Sequence, residues 1–327
     1  MVGSISLILF LIFAVLLQIV VHEAGHLVFG LMTGYKFVSF TILNIRIYKR
    51  DKKLTVGLSP VIGAGGQAAM EPNFSESDNI PVFWYNAGGT VFNLLSSFLA
   101  GWFVLWLNDE SFIRTFFVAI AIVGLFFAVS NGIPMRTHLQ TNDAYNILMM
   151  INNPSAKRAF YRIMKINAFG MEERIILDYP AILFSDLPEN DYNNPLICCF
   201  AIDKIFYFLE LEEYQKALDI CNEMLKAKNI PGIYKNEATC EKQFCEIMLG
   251  ITSTNKPYFL KKSTTKARLV PLASYHTQYS YAAFISHDKD KAEKILNSFE
   301  RDCKKSCNRG IITHERYIFN LLKQRSV

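Results

Sequence analysis

Three long apolar runs stand out from an otherwise polar chain. The first goes from Ile5 to Met32 and is interrupted only by Gln18 and by the His-Glu-Ala-Gly-His stretch at 22–26; the others cover Val82–Leu107 and Phe112–Val129. Crossing the hydrocarbon core of a bilayer takes about 20 residues, with a range of about 17–25, so all three are predicted to be membrane-spanning helices. A signal peptide is the competing reading of the first run. It needs a basic start and a short apolar core, yet no Lys or Arg precedes Lys36, so a retained span is expected. Between the first two runs, Val38–Tyr48 and Lys53–Leu58 are rich in β-branched and aromatic residues and flank the charged turn Lys49–Lys52, which predicts a β-hairpin. Gly63, Gly65 and Gly66 follow it. Turn chemistry alone reads as a hairpin lying on the membrane surface. The sharper reading is an exposed edge strand, with Gly65 and Gly66 beside it, that pairs with an unwound peptide.

From about Asn152 the pattern changes to a polar chain with helical period. The stretches Glu212–Leu218 and Asp288–Leu296 share a Lys-Ala-(x)-aliphatic rhythm, and each follows an aromatic-rich helix. This weakly resembles tetratricopeptide helical hairpins, without a clean 34-residue period. Such a region is either a surface for a protein partner or a helical cap that stabilises the membrane part. Of its histidines, His276, His287 and His314 are scattered, and no second metal site is expected.

The chain has 327 residues, room for about two domains, expected at 1–150 and 151–327. Its net charge of +5 is too mild to suggest nucleic acid. The placement of charge says more: Lys36, Arg46, Lys49, Arg50, Lys52 and Lys53 cluster in the link after the first run, whereas the Asn108–Ser111 link is acidic. Positive charge accumulates on the cytoplasmic side. The expected orientation puts the N-terminus outside and everything after the third span inside. All seven cysteines lie in the second half, an odd number without zinc-ribbon spacing, which argues for reduced thiols in a cytosolic compartment.

An ionisable residue inside an apolar span is a functional hypothesis by default. His22 and His26 are four apart, so their rings share one helix face and can bind one zinc ion. Glu23 sits beside them, where the general base of an H-E-x-x-H protease stands. It would take a proton from a water whose pKa the ion lowers to about 7. Histidines that merely satisfy buried carbonyls are the bland alternative, but they leave Glu23 in lipid without a partner. A hydrolytic zinc wants a third protein ligand. Asp143 follows the third span after a break at Gly132 and Pro134 and opens a short helical stretch, at the same membrane depth as His22 and His26. Its plainer role is that of a helix N-cap. His138 is a rival ligand.

Together these elements resemble the site-2 protease family of intramembrane zinc metalloproteases, over about residues 1–150. The three motifs are His22-Glu23-Ala24-Gly25-His26, then Gly89-Thr90-Val91-Phe92-Asn93, then Asn131-Gly132-Ile133-Pro134 through Asp143-Ala144. Thr90 stands where the family prefers Pro and Ala144 where it has Gly, and the Pro-to-Asp interval is longer than usual. The resemblance implies one zinc ion on His22, His26 and Asp143, and Glu23 as the catalytic base. It also gives Asn93 and Asn131 the task of holding substrate or supporting the site; hydrogen bonding between helices is their other reading.

The expectation is a mainly α protein: a three-span transmembrane protease core with a small β-hairpin, then a soluble α-helical domain. The expected setting is a plasma membrane, by resemblance bacterial, with lipid around the core. Expected substrates are a single-span membrane protein, a signal-peptide remnant or a peptide precursor, cut in regulated intramembrane proteolysis. A cytoplasmic protein partner at 151–327 belongs to the same picture. The alternative is a membrane-anchored adaptor with a vestigial zinc site.

Overall fold

The computed structural model of the chain describes residues 4–50, 53–58, 65–76, 80–107, 112–136, 141–251, 271–304 and 309–325. The Asn108–Ser111 link, Gly63 and His138 lie outside them. Packing divides the chain into two units, Met1–Asn153 and Pro154–Val327.

In the first unit the apolar runs form α1 (Ser4–Met32), α2 (Val82–Trp106) and α3 (Phe112–Gly132). All three are long and apolar enough to cross a membrane. Each packs on the other two. Small residues line the seam: Ala14, Ala100 and Ala119 are buried with Ile120 and Val123. Larger side chains such as Ile5, Leu105 and Trp106 point away from the bundle. Without a hydrophobic drive between helices in lipid, small residues that let backbones approach are the expected seam. Gly25 of α1 meets Gly88 of α2 backbone to backbone, where a Cβ on Gly25 would lie 2.2 Å from the Gly88 carbonyl oxygen.

Between α1 and α2 the chain builds a four-stranded antiparallel sheet rather than the single hairpin expected. Its strands are β1 (Tyr35–Ile42), β2 (Ile45–Arg50), β3 (Lys53–Leu58) and β4 (Gly66–Pro72), in the order β3-β2-β1-β4. Val38–Tyr48, read as one strand, is itself folded back at Leu43 and Asn44. The turn was concealed because it lacks glycine: Leu43 takes a positive φ of 52°, a conformation that side chains with a Cβ rarely adopt. The outer hairpin β2–β3 is amphipathic. Its register sets Ile45 opposite Leu58 and Ile47 opposite Val56, so these four share one face with Leu54, all of them exposed. The inner strands β1 and β4 pack on α1 instead. After α3 the short helix α4 (Asp143–Met150) packs on α2 and α3.

The second unit is helical: α5 (Pro154–Gly170), α6 (Pro195–Glu210), α7 (Tyr214–Lys226), α8 (Gly232–Met248), α9 (Ser274–Ser280), α10 (Lys289–Cys303) and α11 (Arg309–Arg325). Its core holds fully buried Phe244, Phe299, Phe319, Ile202, Leu209 and Met224. The six described cysteines are free thiols, five of them buried. A chain of buried ionisable groups runs through this core. His276 on α9 bridges Glu241 on α8 (3.0 Å) and Glu315 on α11 (2.9 Å), and His314 bonds Glu210 on α6 (2.8 Å).

Candidate metal centre

His22, Glu23 and His26 sit in the C-terminal half of α1, buried against α2. The spacing of four puts both rings on one face, and their Nε2 atoms lie 3.2 Å apart. Asp143 Oδ2 comes within 3.1 Å of His22 Nε2 and 3.3 Å of His26 Nε2. Among the described residues these three form the only group of His, Cys, Asp or Glu close enough to hold a metal ion.

The hydrogen bonds settle which ring nitrogens face inward. His26 Nδ1 lies 2.7 Å from the carbonyl oxygen of Tyr85. A carbonyl only accepts, so Nδ1 carries the proton and Nε2 keeps its lone pair in the neutral ring. His22 Nδ1 lies 2.6 Å from Asn93 Oδ1, which likewise accepts. Asn93 Nδ2 is turned away, donating to the Gln18 backbone oxygen (2.9 Å) and to Gln18 Oε1 (2.7 Å). Two imidazole lone pairs and a carboxylate oxygen therefore converge on one point. Asp143 Oδ2 is buried there without a hydrogen-bond donor. Three acceptors crowded together repel unless a cation sits among them. Their separations suit one: tetrahedral ligands about 2.0–2.1 Å from a shared ion stand roughly 3.3–3.4 Å apart. Outer partners such as Asn93 and the Tyr85 carbonyl are what hold such rings in place.

Asp143 reaches the rings through α4, and its neighbour makes this possible. Asn142 is the N-cap of α4, its Oδ1 accepting from Tyr145 N at 3.0 Å. Its Nδ2 donates to the carbonyls of Ser130 (2.7 Å) and Ile133 (2.6 Å) at the end of α3. The capping role weighed for Asp143 thus belongs to Asn142, which leaves the Asp143 side chain to point at the rings. The Asn-Asp pair carried that signal in the sequence, since Asn caps as well as Asp does.

Glu23 lies on the adjacent face of α1, under β4. In that strand the Ala68 carbonyl accepts from the Tyr85 hydroxyl at 2.9 Å. Gly65 and Gly66 open β4 at this crossing. A Cβ on Gly65 would fall 2.9 Å from Ile19 Cδ1, and one on Gly66 would fall 2.6 Å from Glu23 Cγ. Their lack of side chains lets the strand lie against α1. A bulky residue at 66 therefore disturbs Glu23 directly, whatever Gly66 does for a bound peptide. Gly89 has the same character, because a Cβ there would fall 2.4 Å from His22 Cε1. Asn131 is placed differently: its Nδ2 donates to Phe127 in its own helix at 3.1 Å, apart from the three ligands. Tyr85, Gln18 and Asn142 all support the site and were not singled out for it by the sequence.

Comparison with protein families matches residues 10–170 to Peptidase family M50. Comparisons with curated proteins and with solved structures give no match. The matched segment runs from within α1 to the end of α5 and includes every residue of the ligand set. Residues 10–170 thus carry the match to peptidase family M50, the site-2 protease family of membrane metalloproteases.

Proposed function

We propose that this protein is an intramembrane zinc endopeptidase that hydrolyses a peptide bond in or near the membrane segment of its substrate. The observation that carries the reading is the convergence of two imidazole Nε2 atoms and a carboxylate oxygen, from His22, His26 and Asp143, beside the buried carboxylate of Glu23. Two imidazoles and one carboxylate with a position left open is the ligand class of hydrolytic zinc. Bound there, zinc supplies Lewis acidity toward a water and a peptide carbonyl. Glu23 takes the proton of the attacking water and returns it to the leaving nitrogen. Asn93 and the Tyr85 carbonyl keep the two rings aimed. A helical substrate hides its carbonyls in internal hydrogen bonds, so it unwinds before attack. A single-span protein, a signal-peptide remnant or a peptide precursor meets this requirement, and the 154–327 unit is the surface for a cytoplasmic partner.

The N-terminus then lies outside and the helical unit in the cytoplasm of a bacterial cell. The apolar face of the β2–β3 hairpin, with Lys49 at its tip, rests in the lipid headgroup boundary of the same side. Val56→Trp is expected to emit at a blue-shifted wavelength in vesicles and to be quenched by brominated acyl chains. Emission at the wavelength of free tryptophan, unquenched, takes the hairpin out of the membrane.

The direct test compares wild-type and Glu23→Gln membranes by product mass spectrometry and by metal content. A general base contributes about 10²–10⁴ in rate. The variant is expected to keep its metal and lose at least about a hundredfold in cleavage. Wild-type levels of every cleaved product in the variant would leave a metal-binding adaptor, not a protease.

A further inference from the structure

Gln18 lies one helical turn before His22, in the middle of an apolar run, and it is fully buried. A primary amide in that setting is costly unless its groups are bonded, and here they bond to both neighbouring helices. Nε2 donates to the Ile120 carbonyl of α3 at 3.3 Å. Oε1 accepts from two groups of α2, Asn93 Nδ2 at 2.7 Å and Ser96 Oγ at 2.9 Å. Gly124 makes the room: a Cβ there would fall 2.7 Å from Gln18 Nε2. Nothing in the helix itself calls for a glutamine at this position, and a leucine of similar size would suit the apolar run.

Both Asn93 Nδ2 hydrogens are taken by position 18, one by its backbone oxygen and one by its side chain. Oδ1 is thereby turned toward His22 Nδ1, at 2.6 Å. Resting on the metal-centre reading above, we propose that Gln18 is a positioning residue for that centre. It locks the Asn93 amide so that Asn93 holds His22 in the tautomer whose Nε2 faces His26 and Asp143. Gln18 touches neither metal nor substrate. Its effect passes through Asn93 to the ring, and through Ile120 it ties the same lock to α3.

Cobalt(II) binding by the full-length protein in detergent tests this, read by chelator competition and by the visible absorption of the bound ion. Loss of an outer partner of a ligating histidine lowers metal affinity about 10–100-fold. Gln18→Met keeps the size and removes the acceptor, so it is expected to fall in that range with a changed visible spectrum. Gln18→Glu keeps an oxygen for Asn93 and Ser96 and is expected to stay within about threefold of wild type. In an Asn93→Leu background, Gln18→Met is expected to add nothing. If Gln18→Met does not assemble, Gly124→Ala asks the same question by displacing the amide, with a smaller loss expected. Wild-type affinity and spectrum in Gln18→Met, or in Gly124→Ala where that variant stands in, overturn the proposal; so does a loss that is additive with Asn93→Leu. A wild-type protein that takes up no cobalt overturns the metal-centre reading itself, whereas normal uptake with unaffected Gln18 variants overturns this inference alone.

Discussion

Gly25→Val is expected to abolish metal retention and cleavage together while leaving the helices formed. Gly25 and Gly88 meet backbone to backbone: a Cβ on Gly25 would lie 2.2 Å from Gly88 O, 2.6 Å from Gly88 C and 2.9 Å from Phe92 Cβ. No flexible side chain can yield there, so α1 and α2 must part by more than about 1 Å to restore ordinary carbon contacts of about 3.5–4.0 Å. The two bonds that aim the rings straddle this point. His22 to Asn93 is 2.6 Å and His26 to the Tyr85 carbonyl is 2.7 Å. Lengthened by that amount, both pass beyond 3.5 Å and cease to be hydrogen bonds. A misplacement of this size costs a catalytic site about a hundredfold even when its ligands survive. Metal per protein after detergent purification, beside the circular dichroism of the same sample, reads the outcome. Stoichiometric metal and normal cleavage in Gly25→Val would show that the glycine contact does not set the site.

The second large effect lies in the helical unit. His276→Leu is expected to destabilise it by about 3–5 kcal/mol at neutral pH, the usual cost of removing one partner from a buried ionic cluster. The side chains of His276, Glu241 and Glu315 have no solvent exposure at all. Leucine fills the ring's space but leaves the carboxylates without their bridge. Adding Glu241→Gln and Glu315→Gln is expected to recover part of the loss, because no buried charge then remains. The pH dependence has a definite sign. Burial acts to strip the proton from His276, and the carboxylates of Glu315 and Glu241 outweigh it, pushing its pKa up from 6.5 to about 10. A raised pKa stabilises the fold fully below 6.5, and that stabilisation is lost as pH rises through about 10. Hydrogen exchange of α8, α9 and α11 is expected to quicken between pH 6.5 and 8 in the wild type. The slope should flatten in His276→Leu. Equal slopes in the two proteins would remove His276 from the account.

Much of this protein can be read along the chain. The three spans follow from apolar length, because a bilayer sets that length whatever surrounds the helix. The pair His22 and His26, with Glu23 beside it, follows from the period of a helix, which is local geometry. The sheet was only half legible, since the Leu43–Asn44 turn uses a residue that turn chemistry does not favour. Glu237, Glu241 and His276 are buried, and nothing in the helical period of that region marks them as core.

The amino-acid order alone thus determined the three long apolar helices, the shared face of His22 and His26 on α1 and the existence of a separate helical region. Only the tertiary structure decided that Asn142 caps α4 while Asp143 meets the rings, that Asn93 supports His22 while Asn131 bonds its own helix, and that Gln18 joins three spans. The reason is physical: period and hydropathy act over a few residues, but a side chain's hydrogen-bond partner is set by which backbones come close. Here that approach rests on glycines such as Gly25 and Gly89, whose missing side chains permit close packing without fixing which partner comes close.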